Sequence, residues 1–374
     1  MTKILFICGA LEYGCNGVGD YTRRLAAELI KQGLSTAIVA WHDNHVTAFI
    51  DGVQEEDKTT VPVLRIPASY TTAQKIKRAS KWINDFDPDW CSVQFVPFAY
   101  HKKGLPFNLA AEFISAAGKR KWQIMFHELW VGMSTQSTLK EHYWGVLQKK
   151  LIKRFIAQLQ PSVIHTQTGL YKFQLDKLGY QAGILPLFPN ISVTDEDVTP
   201  LYHPANNIDI TVVVFGNIHH GAPAATLAQE AADFAADNNK KLQLYLIGHS
   251  GAEKEKWIAA WQQHNIPVKS FGEQSPHYIS FLFKHASVGI STTPLLLIEK
   301  SGSVAAMREH GLPVICAARP WQIKQPINFQ PPPGIMEYKK GNLGALLQKD
   351  IPTVQQKNLA DISKEFMQTI LSAN

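Results

Sequence analysis

Short apolar, β-branched runs alternate with segments of helical period along nearly the whole of this 374-residue sequence. Such alternation is the pattern of parallel βα units, because each buried strand needs a helix to carry the chain back across the sheet. In the first half, strands are expected at residues 3–9, 36–41, 61–66, 90–96, 123–127, 162–166 and 183–187. Helices are expected between them at 20–32, 73–86, 109–118, 139–159 and 170–178. The first helix presents Leu25, Leu29 and Ile30 to a core and stops at Gly33, a residue suited to a helix C-terminus.

The pattern breaks after Phe188-Pro189-Asn190-Ile191, where Thr194-Asp195-Glu196-Asp197 and Pro204-Ala205-Asn206-Asn207 are polar. It then restarts, with strands expected at 210–216, 242–248, 268–271, 288–291 and 313–316. The helices are expected at 225–238, 253–264, 277–284 and 303–309, with a last helix near 356–371 after the Pro331-Pro332-Pro333 loop. The expectation is two doubly wound α/β domains facing a central cleft. Residues 1–190 form the first and 208–354 the second, with a linker at 191–207. The helix over about 355–374 is free to pack back on the first domain. Ligands of open parallel sheets bind beyond the carboxyl ends of the strands, where helix N-termini favour anions.

Hydrophobic residues make up 45% and charged residues 18% of the chain, which excludes a mainly disordered protein. No run approaches the ~18 apolar residues of a membrane-spanning helix. Met1-Thr2-Lys3 leads directly into Ile4-Leu5-Phe6-Ile7, which reads as a strand rather than a secretory leader. A net charge of +6 suits anionic ligands but lacks the density of a nucleic-acid binder. The cysteines Cys8, Cys15, Cys91 and Cys316 form no Cys-x-x-Cys pair, so neither a zinc site nor a disulfide framework is expected, and a cytoplasmic location fits.

Gly14-Cys15-Asn16-Gly17-Val18-Gly19-Asp20 fills the turn before the first helix. Glycines there let backbone amides approach a phosphate or a sugar, although the same residues also serve an ordinary connection. The order is not the dinucleotide fingerprint, which argues against a nicotinamide dehydrogenase. His127 ends a strand and is either a ligand contact or a strand-edge cap. Ser301-Gly302-Ser303 opens a helix, where hydroxyls and free amides either seat a diphosphate or simply cap the helix. The adjacent His219 and His220 point apart and lack a nearby acidic or His cluster, so no metal is expected. Asp85-Phe86-Asp87-Pro88-Asp89 lies at a helix end before a strand and reads as a solvated turn.

Gly17-Val18-Gly19-Asp20-Tyr21-Thr22-Arg23-Arg24-Leu25-Ala26 resembles the opening loop and helix of glycosyltransferase family 4. Three further segments agree in order along the chain. These are Phe126-His127-Glu128-Leu129-Trp130, Val163-Ile164-His165-Thr166-Gln167-Thr168, and Lys300 to Met307 running into His310-Gly311-Leu312-Pro313-Val314. The resemblance implies a GT-B fold and a retaining, metal-independent hexosyltransferase without a bound cofactor. It would move a sugar from a nucleotide-diphosphate-sugar donor to a hydroxyl acceptor, a glycan or lipid-linked saccharide.

By the same resemblance, His127 and Glu299 are the catalytic candidates and hold the transferred sugar. Asn217, His220, Ser301, Gly302 and Ser303 contact the donor diphosphate, and Gly17 and Gly19 flank sugar and acceptor. The sequence departs from the family twice. Met307 stands eight residues after Glu299, where the family has a second Glu. Asn217 and His220 stand where it has an Arg and a Lys. These departures keep open a catalytically degenerate nucleotide-sugar-binding or partner subunit; a sugar-nucleotide epimerase, with the same fold and a different reaction, is a further alternative. The 139–159 helix sets Trp144, Leu147, Leu151, Ile152 and Phe155 on one side, and Lys149, Lys150, Lys153 and Arg154 on another. That helix is either an ordinary domain helix or, as the family implies, a peripheral contact with the inner face of an anionic membrane.

Overall fold

The computed structural model describes residues 2–194, 207–349 and 357–373. The chain divides into two compact units, one of Met1–Pro186, Ile323–Ile327 and Leu359–Asn374, the other of Leu187–Gln322 and Asn328–Asn358. Most of the polar stretch expected as a linker, residues 195–206, lies outside the described residues.

The first unit contains β1 (Lys3–Cys8), α1 (Gly17–Lys31), β2 (Ser35–Asp43), β3 (Ile50–Glu56), β4 (Thr59–Pro67), α2 (Thr72–Phe86), β5 (Trp90–Phe95), α3 (Pro97–Tyr100), α4 (Leu109–Ala117), β6 (Lys121–Phe126), α5 (Leu139–Leu159), β7 (Val163–Thr166), α6 (Gly169–Asp176) and β8 (Gly183–Ile184). Its sheet runs in the order β3-β4-β2-β1-β5-β6-β7-β8 and is parallel except for β3 against β4. β3 breaks the expected alternation. It is a largely exposed, polar edge strand joined to β4 through Asp57 and Lys58, both at positive φ. A hairpin turn of that kind usually advertises itself with Asn-Gly or Asp-Gly, and here it does not. The last strand is also shorter than the expected 183–187, because only Gly183 and Ile184 pair with β7.

The second unit contains β9 (Ile210–Phe215), α7 (Ala224–Asp237), β10 (Leu242–Ile247), α8 (Lys254–Gln262), β11 (Val268–Gly272), α9 (Pro276–Lys284), β12 (Val288–Ser291), a 3-10 turn Leu295–Lys300, α10 (Gly302–Glu309), β13 (Val314–Cys316), β14 (Ile335–Glu337) and α11 (Leu343–Gln348). Its all-parallel sheet, β11-β10-β9-β12-β13-β14, has the doubly wound order with its switch point between β9 and β12. Alternate residues of β9 and β10 feed two cores on opposite faces of the sheet. Val212, Val214, Leu244 and Leu246 pack with Trp257 and Trp261, while Val213, Tyr245 and Ile247 pack with Phe283 and Met307.

The last helix, α12 (Leu359–Ser372), belongs to the first unit and lies against α1. Gln32 donates to Ser363 Oγ at 2.5 Å and to the Ala360 carbonyl at 3.2 Å, and Phe366 stacks on Phe6 with ring centroids 5.8 Å apart. Residues 323–327 fall inside the stretch expected for the second domain but group with the first unit. Ile323 bridges Ser134, and Lys177 donates to Gln325.

Candidate functional site

Each unit carries its candidate residues at the carboxyl edge of its own sheet. In the first, the loop after β1 abuts the segment after β5, since a Cβ on Gly9 would lie 2.7 Å from that of Ala99. Asn16 caps α1 by accepting from the Gly19 amide at 2.8 Å. Arg23, only 3% exposed, holds the loop in shape. It pairs with Asp20 at 2.5 Å and Glu56 at 2.9 Å, and its guanidinium lies 3.7 Å from the centre of the Tyr13 ring. Buried Asp43 accepts from the Leu11 amide and from Arg65, which also reaches Glu12.

The two glycines singled out in this loop separate. Gly17 is exposed, with no atom near the place a Cβ would take, so a ligand can approach its backbone. Gly19 is buried against the Ala10 carbonyl, which a Cβ would strike, so helix packing already requires a glycine there. His127 is 5% exposed just beyond β6, with its ring edge on Tyr21 at 4.8 Å between centroids. Its Nε2 lies 2.8 Å from Gln94 Oε1.

In the second unit, the turn after β9 meets the start of α10. Gly216, at φ +83°, passes so close to Ser303 that a Cβ would sit 2.6 Å from its Oγ. The Asn217 amide oxygen lies against Gly251, the His219 amide donates to Thr292 Oγ1 at 2.8 Å, and Ser301 caps α10 by accepting from Val304. Turn residues, the strand end after β12 and a helix N-terminus therefore converge around backbone amides, an arrangement that suits an anion. Gly302 leaves the helix start open, with Asn190 Oδ1 3.9 Å from a would-be Cβ. His220 is 84% exposed, and its Nδ1 lies 2.8 Å from Glu253 Oε1. That hydrogen bond, with Lys256 adding to it, holds the Glu253 carboxyl below its usual range.

Sequence reasoning missed a cation here. Arg319, in the segment after β13, lies along Gly221, where a Cβ would meet its Cβ and Cδ at 3.4 Å. Burial first, then the positive charges of Arg319 and Lys300, depress the His219 pKa below that of a free histidine. Two cations, Arg319 and Lys300, therefore lie near a turn that lacks the Arg and Lys of the family pattern. Only the Ala317-Ala318-Arg319-Pro320 stretch after a strand hinted at Arg319.

Glu299 is half-buried in the 3-10 turn, with the Arg308 charge within its electrostatic reach. Met307 is fully buried with its sulfur against Gly289, so position 307 serves the core. Among the described residues no group of three or more His, Cys, Asp or Glu could hold a metal, and no helix is long and apolar enough to cross a membrane.

The expected apolar side of α5 needs correction. Its buried seam runs through Gly145, Gln148, Ile152, Phe155, Ile156 and Leu159, because Gly145 presses on the Val131 carbonyl and Gln148 bonds Val131 and Gly104. Trp144 is turned aside, donating to the Lys103 carbonyl. The first half of α5 therefore exposes Leu139, Tyr143 and Val146, at 78%, 76% and 54%.

No protein-family model matches this chain, and no curated protein does. Solved structures do. Anabaena Alr3699/HepE, solved with UDP and glucose, matches over all of both chains at 13% identity and a TM-score of 0.59. The lipopolysaccharide outer core galactosyltransferase WaaB, in its apo form, likewise matches over all of both chains, at 15% and 0.58. An α,α-trehalose-phosphate synthase (UDP-forming) from Burkholderia vietnamiensis matches all of this chain and 94% of its own, at 10% and 0.57. At such identities the likeness establishes the fold, two Rossmann-like α/β units of GT-B type.

Proposed function

We propose that this protein is a glycosyltransferase resembling family 4, moving a hexose from a nucleotide-diphosphate sugar to a hydroxyl acceptor with retention and without a metal. The observation that carries this reading is the turn of the second unit, where Gly216 meets Ser303, Ser301 caps α10 and the charges of Lys300 and Arg319 reach His219. The UDP in the HepE structure, on a chain of the same fold, supports a nucleoside diphosphate as its ligand.

In this reading Ser301, Gly302 and Ser303 seat the donor diphosphate, with Asn217 and His220 donating to it and Arg319 and Lys300 neutralising it. The bond between the anomeric carbon and the diphosphate oxygen breaks, the acceptor hydroxyl oxygen bonds to that carbon, and its proton leaves on the nucleoside diphosphate. His127 and Glu299 hold the transferred sugar, Glu299 by accepting from its hydroxyls and balancing positive charge at the anomeric carbon. Gly17 gives sugar and acceptor close access to backbone. A saccharide on a lipid carrier is the preferred acceptor, because Leu139, Tyr143 and Val146 stand out from α5 beside Lys140, Lys150 and Lys153, a surface suited to the inner, anionic face of a membrane.

Thermal shift against UDP, GDP, ADP, CMP and dTDP and their common sugars, with and without magnesium, tests the reading. A ligand at about 100 times its dissociation constant adds about 2.7 kcal/mol. Stabilisation by one nucleoside diphosphate without magnesium is expected. Stabilisation without turnover of any sugar donor would instead favour the degenerate, partner-dependent subunit. The absence of any shift overturns the donor site.

A further inference from the structure

A chain of buried polar side chains crosses the first unit's sheet from His127 to His165. Ser92, Gln94 and Gln123 are fully buried, and His165 is 4% exposed. Residues two apart on a strand share a face, and Ser92 pairs in register with Gln123, so these side chains line one face of the sheet. Phe6, in register with Ser92, and Phe366 of α12 stack on that face.

The contacts run in one direction. His127 Nε2 lies 2.8 Å from Gln94 Oε1, Gln94 Nε2 donates to Ser92 Oγ at 2.8 Å, and Ser92 Oγ donates to Gln123 Oε1 at 2.5 Å. Gln123 Nε2 then lies 3.2 Å from His165 Nδ1. A carboxamide offers an acceptor at one end and donors at the other, and a hydroxyl has one proton to give. Gln94 thus presents an acceptor to His127, whose Nε2 carries the proton. Gln123 presents a donor to His165, whose Nδ1 accepts. Reversing one member alone would press donor on donor or acceptor on acceptor where no water can intervene, making such a fault on the order of tenfold rarer. The His165 ring cannot turn away, because Gly183 leaves no room beneath it (a Cβ there would lie 2.9 Å from Cδ2) and Phe366 covers it at 6.3 Å between centroids.

We propose that Gln94, Ser92 and Gln123 are positioning residues that couple the tautomer of His127 to that of His165, holding both rings in the Nε2–H form. His127 Nδ1 then carries the lone pair, so the ring accepts a hydrogen bond from a sugar hydroxyl rather than donating one. This last consequence alone rests on the transferase reading. The coupling itself is a property of the folded chain and is tested without substrate.

The test is two-dimensional long-range 1H–15N NMR of the full-length protein at pH 7.5, with 15N-labelled histidine and His127→Gln and His165→Gln used for assignment. Both rings of the wild type are expected as single Nε2–H tautomers. In Ser92→Ala, which removes the central hydroxyl with little volume, His127 is expected to show both tautomers. Gln123→Met makes the same break should Ser92→Ala fail to fold. An Nδ1–H form of His127 in the wild type overturns the proposal, as does a His127 signal unchanged in a folded variant. Neither result depends on whether the protein transfers sugar.

Discussion

Gly216 and Ser303 lie far apart in the second unit's sequence and meet so closely that no side chain fits between them. The contact fixes the turn after β9 against the first residues of α10. Gly216→Ala is therefore expected to lower stability by more than the 1–2 kcal/mol that a positive φ costs a residue with a Cβ, since the methyl group would also collide with Ser303. A lower melting temperature, together with a smaller shift on adding nucleoside diphosphate if the proposed function holds, checks this. A variant as stable as the wild type would show that the turn relaxes freely.

Arg319 is exposed, and among the described residues it enters no ion pair. Arg319→Ala should therefore leave the free protein within about 0.5 kcal/mol of wild-type stability. If the side chain neutralises a diphosphate, calorimetry should show nucleoside diphosphate binding weakened about tenfold, near 1.4 kcal/mol, and nucleoside binding hardly changed. Equal losses for both ligands would place Arg319 on the base or ribose instead.

Arg319 also shows where sequence reading stops. The strands of both sheets are legible because burial on both faces demands continuous apolar runs, and α1 and α2 because their period and caps are strong, whereas α5 is legible in extent but not in which side it buries. β3 and β14 are not, since one is a polar edge strand and the other a three-residue strand after a proline-rich loop. The proximity of Arg319 to Gly221 is tertiary, and the sequence hints only that a cation follows a strand. The polar chain behind His127 did leave one, because Ser92, Gln94 and Gln123 recur at alternate positions within apolar strands. A strand residue that is polar on a buried face needs a partner, and the sequence alone does not say which.

Gly17 and Gly19 allow ligand approach to be separated from packing. Gly17→Ala adds a methyl group in open space near a helix start and should alter stability by less than about 1 kcal/mol. Gly19→Ala drives a Cβ into the Ala10 carbonyl and should cost several times more. Under the proposed function, Gly17→Ala should then reduce turnover at nearly unchanged melting temperature. Full activity in Gly17→Ala would remove this residue from the acceptor loop.

Protonation should weaken the first unit in mild acid. Burial depresses His165 to about 4, and burial with the charges of Lys75 and His101 does the same to His42. Free histidine titrates near 6.5, so above that pH both states are neutral and the folding contribution is whole. As pH falls from about 6.5 to 4 the unfolded chain takes up protons that the folded one refuses, and stability drops by about 1.4 kcal/mol per pH unit for His165. The urea midpoint should fall across that window, and fall less steeply in His165→Gln. An identical slope in the variant would assign the acid sensitivity to other groups.

The first half of α5 offers the test of membrane contact. Leu139, Tyr143 and Val146 recur at helical spacing and are exposed, while Gly145 and Gln148 anchor the opposite side. An exposed apolar stripe flanked by lysines binds best where acyl chains and anionic headgroups occur together. Cosedimentation with vesicles containing phosphatidylglycerol should therefore exceed that with pure phosphatidylcholine, and should weaken as salt screens the lysines. Tyr143→Asp with Val146→Asp places charge on the stripe without touching the buried seam, so the fold should hold while vesicle binding drops at least tenfold. Undiminished binding by that double variant would exclude α5 as the contact, and equal binding to neutral vesicles would exclude the lysines.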